Sequence, residues 1–131
     1  MGLPDWQAAH KQLLIMDFNT DKAIYQQMAD RLADEILAGT YKADDRIPSV
    51  REYAVMLEVN ANTAVKAYEL LAREGIIYNR RGLGYFVEPT ARDKILAARR
   101  KEFLTVRLPE MVRQMRLLGI SMDVIMEKIK E

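Results

Sequence analysis

Cysteine is missing from this chain, and histidine occurs once, at His10. Without thiols there is no disulfide framework and no thiolate metal site, which suits a cytoplasmic protein. One imidazole cannot by itself anchor a histidine metal cluster or a catalytic dyad. Long hydrophobic runs are missing too. The longest unbroken apolar stretches are four to five residues, far short of the roughly 20 that span a bilayer, and no signal-peptide core is visible. Nor does charge of one sign dominate: 20 Lys/Arg face 19 Asp/Glu, for a formal net charge of +1. A chain this close to neutral and 50% apolar is not disordered. Asp44-Asp45, an adjacent carboxylate pair, sits in a turn with no histidine, cysteine or phosphate loop beside it. An enzyme is therefore not expected, and no cofactor or metal is implied.

What is present organises the 131 residues into one compact domain plus appendages. Residues 1–21 form an N-terminal extension of mixed character, with Trp6 and the apolar stretch Leu13-Leu14-Ile15-Met16. Met16 is a candidate alternative initiator, which would make 1–15 dispensable. Asn19-Thr20-Asp21 is a helix start signal, and Ile24, Met28, Leu32 and Ile36 then recur every four positions as one helical stripe. Gly39 supplies the stop. A polar loop over 42–46 leads to Ile47-Pro48-Ser49. Ser49 with Glu52 makes a capping-box pair ahead of a short helix whose buried stripe is Val50, Tyr53, Ala54 and Leu57.

After the break Glu58-Val59-Asn60, a third helix runs to about Glu74, with Ala64, Ala67, Tyr68 and Leu71 on its apolar face and Gly75 at its end. Two short helices joined so tightly make a helix-turn-helix. Residues 76–87 change to a β pattern, with the turn Arg80-Arg81-Gly82-Leu83-Gly84 between Ile76-Ile77-Tyr78-Asn79 and Tyr85-Phe86-Val87. The expected fold is mainly α with a small β-hairpin: a winged helix-turn-helix over 22–90 and a helical region over 91–131. In the latter, Leu104, Leu108, Met111, Met115 and Leu118 share one face. Pro109 should kink or break that helix, Gly119 ends it, and Ser121 can cap a last helix bearing Met122, Ile125, Met126 and Ile129.

The segments 47–52, 59–63 and 80–87 occur in order over about residues 22–88, roughly half the chain. Together they resemble the DNA-binding domain of the GntR family of bacterial transcription regulators. The Asn60-Ala61-Asn62-Thr63 opening of the third helix and the short tail resemble its YtrA-like subfamily, whose members carry a small two-helix dimerisation region. Two departures stand out. Asp44 occupies the position where the family's loop usually has glycine, so that turn relies on aspartate's tolerance of left-handed geometry. Val65 stands where relatives often carry a polar or charged residue.

A recognition helix presents donors, acceptors or methyl-sensing groups to base edges from its first turn. The residues expected at DNA are Ser49, Arg51, Asn60, Asn62, Thr63, Val65, Lys66, Arg80, Arg81, Gly82 and Gly84. Asn62 can pair with adenine, and Val65 can touch a thymine methyl. Asn60 either caps the helix or reads a base, or does both. For Arg51 the resemblance implies a DNA contact, with a surface ion pair as the alternative. Lys66 is a phosphate partner or a solvated cation, and Arg80 and Arg81 are groove contacts or a solubilising hairpin tip. The charge balance is no help: residues 22–90 hold nine Lys/Arg against ten Asp/Glu, while 91–131 hold ten against six. Affinity must come from a few placed cations, doubled by dimerisation. Arg99-Arg100-Lys101 is expected to be a solvated helix face.

Leu104, Leu108, Met111, Met115, Leu118, Ile125 and Ile129 are expected at a homodimer interface, because two helices this small cannot bury both faces alone. Folding back onto the winged domain is the alternative for Ile95 and Phe103. A two-fold dimer calls for a palindromic double-stranded operator. Larger GntR relatives carry an effector domain. Here about 40 residues follow the wing, too few to wall a closed pocket of roughly 300 Å³. Any small-molecule effector would bind between subunits or at the domain junction. The expected function is a cytoplasmic homodimeric repressor, and the YtrA-like resemblance implies a nearby transporter operon as its target. The alternative is a winged-helix protein–protein assembly module that does not bind DNA.

Overall fold

The computed structural model describes residues 22–131; Met16 and the start signal at 19–21 lie outside them. Its elements are α1 Ile24–Leu37, α2 Val50–Leu57, α3 Ala61–Arg73, β1 Ile77–Arg80, β2 Gly84–Val87, α4 Ala91–Glu102, a π-type turn Phe103–Arg107, α5 Leu108–Leu118 and α6 Met122–Lys130. The chain divides into two compact units between Ile95 and Leu96, within α4. The mainly helical fold with one small hairpin is as the patterning implied.

In the first unit, α1 buries Met28, Leu32 and Ile36 but leaves Ile24 exposed. Ala23 occupies the N-cap position and has no side chain to cap with. The Gln26 side-chain oxygen instead accepts from the Ala23 backbone N–H at 3.3 Å. Gly39, at φ +85°, lets Thr40 N–H reach back to the Glu35 carbonyl at 2.9 Å and close the helix. A row that the apolar pattern does not reveal lies on the same helix: Gln27, Arg31 and Glu35, one turn apart, are all buried. Glu35 accepts a hydrogen bond from the Tyr53 hydroxyl at 3.1 Å.

Helices α2 and α3 bury Tyr53, Ala54, Leu57, Ala64, Ala67, Tyr68 and Leu71, with Val50 partly buried against that core. Each fully buried leucine contributes about 1.5–3 kcal/mol of transfer free energy. The strands pair antiparallel, Ile77 opposite Val87 and Tyr78 opposite Phe86. The stretch 44–47, expected only as loop, is also an edge partner of β2. Asp44 N–H donates to Val87 O at 2.8 Å, Val87 N–H to Asp45 O at 3.0 Å, and Ile47 N–H to Tyr85 O at 3.0 Å. Burying Ile47, 2% exposed, draws this segment against the hairpin. Asp44 takes φ +65°, the left-handed geometry expected of it in place of glycine.

Ala91 and Ile95 are buried, whereas Phe103 is 49% exposed; of the two fold-back candidates only Ile95 joins a core. In the second unit no residue of the π-type turn, α5 or α6 is buried. Pro109 has no N–H to give to the carbonyl four residues before it, so the helical register widens there. Leu108 N–H bonds to Phe103 O instead, and the Thr105 hydroxyl donates to Lys101 O at 2.7 Å. Gly119 closes α5 at φ +67°. Ser121 sits at the N-cap of α6, but its side chain makes no capping bond. An open groove of about 520 Å³ runs along α5, lined by Leu108, Pro109, Val112, Arg113, Arg116 and Leu117.

Burial raises the Tyr53, Tyr68 and Tyr41 hydroxyls above their ordinary value of 10.0, and the Glu35 carboxylate adds to the effect in each. The unfolded chain therefore releases these protons first as pH rises. Their contribution to stability is complete below about pH 10 and is lost progressively above it. Alkaline titration should show loss of far-ultraviolet circular dichroism coinciding with part of the tyrosinate absorbance rise. Tyr68→Phe should shallow that dependence. Full tyrosine ionisation with helicity intact would contradict this.

Candidate nucleic-acid interface

The first turn of α2 is closed by a reciprocal pair. Ser49 Oγ accepts from Glu52 N–H at 3.1 Å, and Glu52 Oε1 accepts from Ser49 N–H at 3.3 Å. Arg51 lies exposed in that same turn. Helix α2 ends in left-handed geometry at Glu58, φ +56°, with Val59 N–H bonded back to Ala54 O at 3.0 Å. This tight exit leads directly to Asn60. Asn60 Oδ1 caps α3 by accepting from Asn62 N–H at 2.8 Å, so its capping role is realised while its side chain stays exposed.

Beyond the cap, Asn62 and Lys66 are exposed, Thr63 is half-buried and Val65 is 39% exposed. They occupy the flank of α3 away from Ala64, Ala67, Tyr68 and Leu71. Tyr68 pins that helix. Its hydroxyl donates to Pro48 O at 2.5 Å. Its ring meets Tyr85 of β2 edge-on at 5.2 Å and Tyr53 of α2 at 6.0 Å. One side chain thus ties the α2 cap segment, α3 and the hairpin together.

In the hairpin, Leu83 N–H closes the turn on Arg80 O at 2.8 Å. Gly82 and Gly84 both take positive φ, +78° and +107°, which the turn requires. Arg81 is exposed. Arg80 lies 5.1 Å over the Phe86 ring, itself stacked on Tyr78 at 5.8 Å. The Tyr78 hydroxyl donates to Asp44 Oδ1 at 2.7 Å, which holds that proton above its ordinary range. A glycine at 44 could not make this bond. Arg46, on the edge segment opposite Phe86, was not among the residues singled out by motif. Its guanidinium fills the space beside Gly84, with Nε 3.3 Å from where a Cβ would stand.

Residues 24–87 match the family described as "Bacterial regulatory proteins, gntR family". The chain is 30% identical over 119 residues to the HTH-type transcriptional repressor YtrA of Bacillus subtilis, covering 91% of each protein. The chain belongs to the GntR family. Among solved structures, a putative GntR-family transcriptional regulator from Bacteroides thetaiotaomicron matches with a TM-score of 0.68 and 45% identity, over 82% of this chain and 94% of that one. A GntR-family transcriptional regulator from Listeria monocytogenes matches with a TM-score of 0.71 and 32% identity, over 86% and 96%. The relatives are named as transcriptional regulators, not enzymes, and the resemblance to YtrA-like members holds over nearly the whole chain.

Among the described residues of this GntR-family protein, no helix is long and apolar enough to cross a membrane, and no group of three or more metal-binding side chains gathers. The remaining expected residues, Leu104, Leu108, Met111, Met115, Leu118, Ile125 and Ile129, lie in the second unit. There Leu104, Leu118 and Ile129 are the most exposed.

The Ser49 hydrogen bonds hold the Glu52 carboxyl below its ordinary value. A depressed carboxyl stabilises the fold above the usual carboxylate range and loses that effect as pH falls through its lowered value. Glu52→Gln should therefore be less stable than the parent chain at pH 7. The gap in urea midpoint should close below about pH 4. A gap that does not change with pH would detach the effect from the carboxylate.

Proposed function

We propose that this protein is a cytoplasmic homodimeric repressor that binds a palindromic operator, one α3 helix in each of two successive major-groove faces. The observation that carries this reading is the solvent-facing first turn of α3. Asn62, Thr63 and Val65 form its outward edge, while the opposite face is locked by Tyr68. Asn62 suits a bidentate bond to adenine and Val65 a thymine methyl. Ser49, Arg51, Asn60 and Lys66 serve the flanking phosphates, and Arg80, Arg81, Gly82 and Gly84 bring the wing to the adjacent groove. Repression is taken from the name of the Bacillus relative, with a neighbouring transporter operon as the target that the YtrA-like resemblance implies.

In fluorescence anisotropy with double-stranded promoter DNA, binding should depend on an inverted repeat. Asn62→Ala should cost about 1–3 kcal/mol and relax selectivity at one base pair. Arg51→Ala should weaken all sequences alike and reduce the salt slope by about one unit per protomer. A flat response to duplex DNA at low salt would leave the assembly-module reading in its place.

The second unit supports self-association. Leu104, Met111, Leu118 and Ile129 are exposed apolar side chains, and a chain of this size gains by covering them with a second copy. Leu108→Asp combined with Met115→Asp should sediment as a monomer. Operator affinity should fall steeply while the circular dichroism of the winged unit survives. A dimer that persists in this variant would move the interface off the 104–118 stripe.

A further inference from the structure

The edge segment 44–47, β2 and β1 form a three-stranded ribbon whose outer face carries a cross-strand row. Arg46 is opposite Phe86, and Phe86 is opposite Tyr78. Gly84 and Arg80, themselves paired, belong to the same face by the two-residue alternation of strands. The face therefore holds two guanidinium groups, one over an aromatic ring and one beside a glycine. Arg80 is held over Phe86, and Arg46 lies across the space that a side chain at Gly84 would fill.

The carboxylates just before Arg46 in sequence, and the one that its charge acts on, are already engaged within the fold. Asp44 accepts from the Tyr78 hydroxyl at 2.7 Å, and Asp45 from Lys42 N–H at 2.8 Å. Glu52, close enough to feel the Arg46 charge, accepts from Ser49 N–H at 3.3 Å. Among the described residues Arg46 forms no ion pair within 4 Å and its guanidinium donates no hydrogen bond. A guanidinium exposed to solvent, positioned by packing yet given no acceptor, is arranged for a ligand that brings its own oxygens. Its planar fork matches a phosphate. The location narrows the choice, because Arg46 stands three residues before the α2 cap and its guanidinium lies beside Gly84 at the wing turn.

We propose that Arg46 is a backbone-phosphate contact to double-stranded DNA, made beside the wing turn alongside Arg80. This rests on the operator-binding reading above and adds to it a cation outside the recognition helix and the hairpin turn. The contact is independent of base sequence. It supplies part of the phosphate neutralisation that a unit with more acidic than basic residues otherwise lacks. In this arrangement Gly84 serves by leaving room for the guanidinium. A Cβ there would crowd Arg46 Nε at 3.3 Å.

The test compares the full chain with Arg46→Met, which keeps the aliphatic stem over Gly84, and Arg46→Lys, which keeps the charge. The probes are a duplex selected by the parent chain from random-sequence DNA and a mixed-sequence duplex of equal length, titrated over a range of potassium chloride. Arg46→Met should bind both duplexes several-fold more weakly. Its log affinity should fall with log salt less steeply by about 1.8 for the dimer, one phosphate's worth from each protomer, at an unchanged urea midpoint. Arg46→Lys should keep the parent slope. Arg46→Met curves that overlie the parent's, while Arg51→Ala weakens binding, would overturn the contact and leave the operator reading standing. So would a shallow slope in Arg46→Lys as well, or weakening that only tracks a lowered urea midpoint. A parent chain that binds neither duplex would overturn both.

Discussion

The buried side chain of Tyr68 is the constraint on which the DNA-binding unit depends. From one position on α3 it meets the ring of Tyr53 on α2 and the ring of Tyr85 on β2, and it donates its hydroxyl to Pro48 just ahead of the α2 cap. Aromatic packing sets the distances, and the hydrogen bond sets the rotation of α3 about its own axis. With Ala64 and Ala67 also buried, small side chains let the neighbouring helices come close. The orientation of the exposed flank, where Asn62 and Val65 lie, is thus decided by residues that never meet solvent. That separation lets the outward residues vary without disturbing the fold.

Electrostatics enter as placement and not as quantity. The winged region carries one more acidic than basic residue, yet several of its exposed carboxylates are held in hydrogen bonds within the fold. Glu52 closes the α2 cap, Asp44 holds Tyr78, and Asp45 closes its own turn. Arg46, Arg51, Arg80 and Arg81 are exposed as well.

Much of this was legible from local rules. The Ser49–Glu52 box, the Asn60 cap, the stops at Gly39 and Gly119 and the glycine-bearing hairpin each depend on groups within a few positions of one another. Their physics is contained in a short window of chain. The left-handed geometry of Asp44 was legible from the resemblance alone, because the family usually has glycine at that position. The missed features share the opposite property. The edge pairing of 44–47 and the seat of Arg46 each require a partner tens of residues away, and in the polar row Gln27, Arg31 and Glu35 the last is reached by Tyr53 from the next helix. The widened turn before Pro109 was foreseen only as a kink or a break, because its form depends on which carbonyl the displaced N–H reaches.

By itself, then, the order of residues determined the helix-turn-helix, the wing and the apolar faces of the tail, because periodicity, capping and turn chemistry act over one or two turns. Only the folded chain decided which polar groups were consumed internally and which were left to solvent. Hydrogen-bond partners are allotted by proximity in three dimensions, and Arg46 beside Gly84 is a neighbour that nothing in linear order announces.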